Sequence, residues 1–223
     1  GAGMIAPNMA TMLAFLTTDC AIAPALLRRS LREVVEHTFN SVTVDGDTST
    51  NDTVFLLANG AAENAPLATP GREADLFRNA LFTVAADLAQ AIARDGEGAT
   101  RFIEVCVTGA RSESDARKAA RAIANSPLVK CAVHGGDPNW GRIICAAGYS
   151  GAPVIPERMK LRINGVLLFK GGMPTRVPPA QLKACMSPRD ILIHLELGQG
   201  SAERTVWTCD FSKEYVTINA DYH

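Results

Sequence analysis

An Asn-Gly pair at 164–165 sits between two apolar runs, LRI before it and VLLF after it, and this pattern constrains the chain more than any other. Asn and Gly tolerate the positive φ angles of a two-residue type I′ turn, so Met159 to Phe169 is expected to fold back as a β-hairpin. The hairpin must share the molecule with helices. From Pro24 to Asn40, Leu27, Leu31, Val34, Val35 and Phe39 recur at spacings of three and four, opposite Arg28, Arg29, Arg32, Glu33 and Glu36. Glu73 to Arg94 repeats that rhythm with Leu76, Phe77, Leu81, Val84, Leu88 and Ile92, and it stops at Asp95-Gly96, a helix C-terminal signal. Ser112 and Asp115 open a third expected helix running to Asn125, and a short one is expected at Pro179 to Met186. Apolar runs at Met12–Thr18, Thr53–Asn59, Phe102–Thr108, Leu128–Val133, Ile191–Leu197 and Thr205–Phe211 read as strands. The expected fold class is therefore an α/β layered sandwich, mixed sheets flanked by helices. No repeat or low-complexity linker divides the chain, so one domain is expected, with a possible minor boundary at the Gly/Pro-rich 171–179.

Composition narrows the partners. The 22 Lys+Arg nearly cancel 23 Asp+Glu, leaving a net charge of −1, and nucleic acid or an anionic membrane surface would call for a clustered basic face instead. A chain of 223 residues buries roughly 70–75% of its unfolded surface, enough for a core without disulfides or a structural metal. Cys20, Cys106, Cys131, Cys145, Cys185 and Cys209 stand singly, with no C-x-x-C pair and no His at zinc-finger spacing, so no metal site is expected. Most of them read as buried small hydrophobes in a reducing, cytoplasmic compartment. No apolar run reaches the 18 or more residues of a membrane span, and the N-terminal stretch lacks the charged start of a signal peptide. The missing initiator Met suggests that Gly1 is internal to a longer chain.

Four segments carry candidate chemistry. In GAGMIAPNMATMLAF, at 1–15, Thr11 opens a hydrophobic strand, the place held by the nucleophile in enzymes that cut their own chain and use the freed amino-terminal Thr. Taken alone, an Ala-Thr before a strand is also a common accident. VDGDTSTNDT, at 44–53, reads by default as an Asx/ST turn network, with a hard-metal site or a polar substrate pocket as the sharper alternatives; a calcium loop of the helix–loop–helix type is not expected, because Leu56 occupies the position of the bidentate Glu. In DGEGAT, at 95–100, Glu97 is flanked by glycines at a helix end and suits an amine-binding or catalytic carboxylate, or simply a solvated loop. HGGDPNWGR, at 134–142, lacks the glycine spacing of a nucleotide cradle, and Asp137 and Pro138 would serve as N-cap and first residue of a short helix. His37, His194 and His223 assemble no hydrolase triad, and no G-x-S-x-G elbow is present.

In this order and spacing, GAGMIAPNMATMLAF, VDGDTSTNDT, GEGAT-x-x-IEV, GGDPNWGR and a terminal YVTINADY resemble the ornithine acetyltransferase family, the bifunctional glutamate N-acetyltransferases of arginine biosynthesis. The resemblance spans essentially the whole chain. It implies the family's self-cleaving N-terminal-Thr fold and a cut between Ala10 and Thr11, so that residues 1–10 are the tail of an α chain and 11–223 the β chain. It implies that Thr11 takes the acetyl group from N-acetylornithine and passes it to glutamate in a ping-pong reaction, with Glu97 and Asn219 contacting the amino-acid portion of the substrate. No metal or organic cofactor is implied, although acetyl-CoA is a possible second donor. The oxyanion-hole pair, a substrate-contacting Thr and a Lys would lie on the α chain, which makes that chain an obligatory partner, in an α2β2 heterotetramer. A hydroxyl residue beyond the N-A-x-Y segment has no counterpart here. The alternatives are an amidase or aminopeptidase on the same scaffold, in which water resolves the acyl-enzyme, and a catalytically inactive binding subunit.

Overall fold

A computed structural model describes residues 4–6 and 12–221; Ala10 and Thr11 lie outside the described residues. The chain divides into two compact units, one of Met4–Ile92 and one from Ala93 onward. The division falls inside a helix, while the minor boundary expected at 171–179 lies within the second unit.

The first unit carries β1 (Leu13–Thr18), α1 (Pro24–His37), β2 (Thr53–Ala58) and most of α2 (Arg72–Arg94). The two strands pair in parallel, Leu13 opposite Thr53 through Thr18 opposite Ala58. Alternation buries Met12, Ala14 and Leu16 on one face. Helix α1 starts on Pro24, whose fixed φ suits a first helical position. It stops at His37, short of the expected Asn40, because Thr38 leaves helical geometry (φ −122°, ψ −90°) and its hydroxyl folds back onto the Val34 carbonyl at 2.7 Å. Phe39–Ser41 then form a 3₁₀ turn. Helix α2 differs from its expected stripe. It buries Ala74, Leu81, Ala85, Ala86 and Ala89, a row of mostly small residues, and leaves Leu76, Val84 and Leu88 exposed.

The second unit is built on a six-stranded mixed sheet in the order β6-β5-β4-β7-β3-β8. Its strands are β3 (Phe102–Ala110), β4 (Lys160–Ile163), β5 (Val166–Lys170), β6 (Met173–Pro174), β7 (Asp190–Glu196) and β8 (Ala202–Cys209). Only β3 and β7 run parallel; the other neighbours are antiparallel. The expected hairpin is β4–β5, with Asn164 at φ 45° and Gly165 at φ 82°. Asn164 also donates to the Cys185 carbonyl and accepts from the Leu192 N–H, both at 2.8 Å, so an amide with both functions fits where Asp would not.

Helices α3 (Glu113–Ala124) and α5 (Trp140–Gly148) pack on the sheet with α4 (Pro127–His134) and α6 (Pro179–Cys185) nearby. Ala116, Ala119 and Ala120 of α3 are fully buried, and their small side chains let the helix approach β3 and β8 closely. Ser112 caps α3 as expected, accepting from the Asp115 N–H. Two expectations are corrected. Leu128–Val133 is not a strand but part of α4, because Ser126 caps the Val129 N–H and Pro127 takes the first helical position. The N-cap of α5 is Asn139 rather than Asp137, its Oδ1 accepting from the Arg142 N–H at 3.0 Å. A last helix, α7 (Lys213–Ala220), was not anticipated. Of the cysteines, only Cys185 and Cys209 are buried; Cys131 and Cys145 lie on exposed helix faces, so most do not serve as core hydrophobes. Among the described residues no helix is long and apolar enough to cross a membrane, and no group of three His, Cys, Asp or Glu could hold a metal ion.

Candidate active site

The site is assembled in the second unit by the loop after α2 and by α7. Glycine at 98 takes φ +64°, which lets the chain turn back directly after Glu97. The Ser212 hydroxyl donates to the Gly98 carbonyl at 2.6 Å and accepts from the N–H groups of Glu214 and Tyr215, so one side chain both caps α7 and ties it to the loop. The contact is close: a Cβ at position 98 would lie 2.5 Å from the Tyr215 nitrogen. Behind it, the buried Lys130 ammonium donates to the Thr208 hydroxyl and the Cys209 carbonyl and lies 4.5 Å from the Phe211 ring. That ring stacks on Tyr215 at 4.7 Å and so seats α7 on the end of β8.

This scaffold brings Glu97 and Asn219 together across 122 residues of sequence. Asn219 Nδ2 donates to Glu97 Oε2 at 2.8 Å and to the Tyr215 carbonyl at 2.9 Å. A carboxylate only accepts, so the amide orientation is fixed, and both Asn219 protons are committed. With both amide protons used, the hydrogen-bonding capacity left on the pair is acceptor oxygen, from the carboxylate and from the amide. Glu97 is 7% exposed while Asn219 is open to solvent, which makes the carboxylate the inner wall and the amide the rim. Such a pair recognises a cation that donates several hydrogen bonds, as an ammonium does.

The other end of the GEGAT loop is held by Asp210, a fully buried carboxylate. Its oxygens accept from the N–H groups of Thr100 and Arg101 at 2.8 Å, from the Thr100 hydroxyl, and from His134 Nδ1 at 2.7 Å. Burial pushes the acidity of Asp210 down, but these hydrogen bonds outweigh it and hold its pKa below the ordinary carboxylate value. His134 heads the HGGDPNWGR segment. The segment's next seven residues, 135–141, line an open cavity of about 660 Å³ with Leu168, Val177 and Leu182.

In the first unit VDGDTSTNDT forms the expected turn network. The Asp45 carboxylate accepts from the backbone N–H groups of Met4, Ile5 and Asp47, and the Thr48 hydroxyl donates to the Ala6 carbonyl. These bonds hold the backbone of Met4–Ala6, a few residues before Ala10 and Thr11. Ser212 and Asp210 escaped the sequence reading. The signal for Ser212 is a Ser-x-Glu start ahead of α7, weakened by the β-branched Val216, Thr217 and Ile218 that follow.

The family model described as the ArgJ family matches residues 1–223. "Arginine biosynthesis bifunctional protein ArgJ" of Deinococcus radiodurans is 51% identical over 222 residues, covering all of this chain and 55% of that protein. The protein of the same name from Dehalococcoides mccartyi is 49% identical over 222 residues, with the same coverage. The chain thus spans about half the length of the curated relatives it matches. A crystal structure of arginine biosynthesis bifunctional protein ArgJ from Bacillus halodurans superimposes with a TM-score of 0.92 at 44% identity, covering 95% of this chain and all of that one. With the family model matched from end to end and the fold shared, this chain belongs to the ArgJ family.

Proposed function

We propose that the chain carries the catalytic half of an enzyme that cuts its precursor between Ala10 and Thr11 and then uses Thr11 to move an acetyl group from N-acetylornithine to glutamate. The observation that carries this reading is the Glu97–Asn219 pair, whose remaining acceptor oxygens suit the ammonium of an amino-acid substrate. The family membership and the name of its relatives, which places them in arginine biosynthesis, support the substrate class. The bonds from Asp45 to Met4 and Ile5 support it too, since a chain attacking its own backbone needs the approach to the scissile bond held in place.

The chemistry follows from the residue at the cut. The Thr11 hydroxyl adds to the Ala10 carbonyl and the C–N bond breaks, leaving an ester and freeing the Thr11 amine; water then cleaves the ester, releasing the Ala10 carboxylate and restoring the Thr11 hydroxyl. The amine's reference pKa, about 7.7–8.0, lies close enough to neutrality for it to take the hydroxyl proton. In the first half-reaction the Thr11 oxygen attacks the acetyl carbonyl of N-acetylornithine, and the proton passes to the departing amine of ornithine. In the second, the neutral glutamate amine attacks the acetyl ester and Thr11 recovers its proton. This sequence calls for no metal or organic cofactor; acetyl-CoA, where used, would be a donor substrate. The test is whether loss of acetyl from the enzyme requires glutamate.

The proposal includes an α chain from the same precursor as partner, in an α2β2 assembly in the cytoplasm. Leu13 (62% exposed), Phe15 (62%), Phe55 (45%) and Leu57 (54%) form one open face of the β1–β2 pair, and Phe15 stacks on Phe55 at 5.2 Å. Parallel sheets are normally covered on both faces, and two strands alone are marginal in water. The roughly half of the relatives' length outside this chain supplies a cover. Phe15→Glu is expected to separate the two chains on size-exclusion chromatography of the co-expressed enzyme; an unchanged elution would remove this face from the interface.

A further inference from the structure

Four hydrogen bonds converge on the Asp210 carboxylate, filling the acceptor sites it has. Their donors come from two segments distant in sequence: Thr100 and Arg101 at the end of the GEGAT loop, and His134 at the head of HGGDPNWGR. The Thr100 hydroxyl also lies 3.2 Å from His134 Nδ1, so the three side chains close a ring. Two residues beyond Asp210, Ser212 holds the Gly98 carbonyl. The short segment 210–212 therefore grips the loop at its bend and just beyond it, one residue and three residues after Glu97. A carboxylate buried at 0% exposure with every site occupied is rigid, because releasing any donor leaves a buried charge short of a bond.

We propose that Asp210, with Thr100 and His134, is a positioning cluster that fixes the loop so that Glu97 meets the substrate ammonium. In this role the three act through Glu97. This explains the presence of His134 and its glycine-rich segment beside the site, which the acetyl-transfer chemistry leaves without a role. The inference rests on the reading of Glu97 and Asn219 as the ammonium-binding pair.

The test uses the complete two-chain enzyme. Ornithine binding is followed by calorimetry, and KM for N-acetylornithine and kcat by ornithine release. Thr100→Val keeps the backbone N–H bond to Asp210 and removes only the hydroxyl; Thr100→Ser restores the hydroxyl; Asp210→Asn keeps the shape and removes the charge. Thr100→Val and Asp210→Asn are expected to weaken ornithine binding and raise KM by about tenfold, with kcat held within about threefold and with Thr100→Ser close to wild type. If Asp210→Asn does not fold, Thr100→Val and its Ser rescue decide the matter. Wild-type binding and KM in a folded Thr100→Val variant would overturn the positioning role, as would a Ser variant no better than Val. Absence of ornithine binding by the wild-type enzyme is a separate result, and it would overturn the reading of Glu97 and Asn219 together with the inference built on it.

Discussion

Thr11→Ala is expected to leave the precursor as a single uncut chain and to lower acetyl transfer by about 10⁴-fold or more, the scale on which enzymes lose rate when their nucleophile is removed. Two functions fall together because one hydroxyl serves both. Without it no ester forms at Ala10, so the Thr11 amine that would act as base is never released. Thr11→Ser separates this account from a merely structural role for the side chain. Serine supplies the same oxygen without the methyl group, so cleavage and part of the activity should return. Gel electrophoresis and N-terminal sequencing read the cleavage, and ornithine release reads the transfer. A Thr11→Ala variant that still cuts after Ala10, or that still transfers acetyl at an undiminished rate, would contradict the assignment.

Gly98→Ala is expected to have the next largest effect, through geometry rather than chemistry. The position has φ +64°, and the added Cβ would sit 2.5 Å from the Tyr215 nitrogen and 3.0 Å from the Glu214 carbonyl carbon. Both are backbone atoms at the start of α7 and cannot swing aside as a side-chain tip would. The helix must move away from the loop, breaking the Ser212 bridge and pulling Asn219 off Glu97. A misplacement of about 1 Å at such a pair can lower kcat/KM for N-acetylornithine about 10²-fold. The core is spared, since α7 contributes no buried residue of its own. Gly165→Ala is the control: its φ is +82° and nothing lies within 4 Å of the added Cβ, so it carries the backbone strain without the clash. Both variants should lose some thermal stability, about 1–2 kcal/mol for a left-handed residue gaining a Cβ. Only Gly98→Ala should lose transfer. Equal activity in the two would show that the loop and α7 are not a functional pair.

The parts of the fold visible in the sequence are those whose cause is local. Asn164-Gly165 announced its hairpin because the turn needs two positive φ angles, and the amide of Asn164 later found both partners its chemistry allows. The amphipathic α1 and the capped α3 were visible for the same reason, with ends shifted by tertiary context such as the Thr38 bend. Leu128–Val133 misled because a short apolar run has no decisive period, and the deciding signals were Ser126 and Pro127 just before it. Helix α7 was hidden by Val216, Thr217 and Ile218, which favour strands; its cap and its seat on Phe211 override them. For the site, Glu97 and Asn219 were identified through the family resemblance, and their mutual hydrogen bond could not be read from residues 122 positions apart. That bond and a second one to the Tyr215 carbonyl commit both Asn219 protons and leave its amide oxygen as an acceptor. Asp210 left no sequence signal, because a buried carboxylate after a strand is defined only by the donors that the fold gathers around it.

The most direct test of the acetyl-transfer account follows the acetyl group itself. The processed two-chain enzyme is incubated with N-acetylornithine alone, freed of ornithine, and then divided between buffer and buffer with glutamate. Peptide mass spectrometry is used to locate and count the acetyl group over time. The account predicts one acetyl on the peptide beginning at Thr11, persistent in buffer and lost on adding glutamate as N-acetylglutamate appears. Loss at the same rate in buffer alone would make the enzyme a hydrolase, and an acetyl group that never appears on Thr11 would contradict the account at its root.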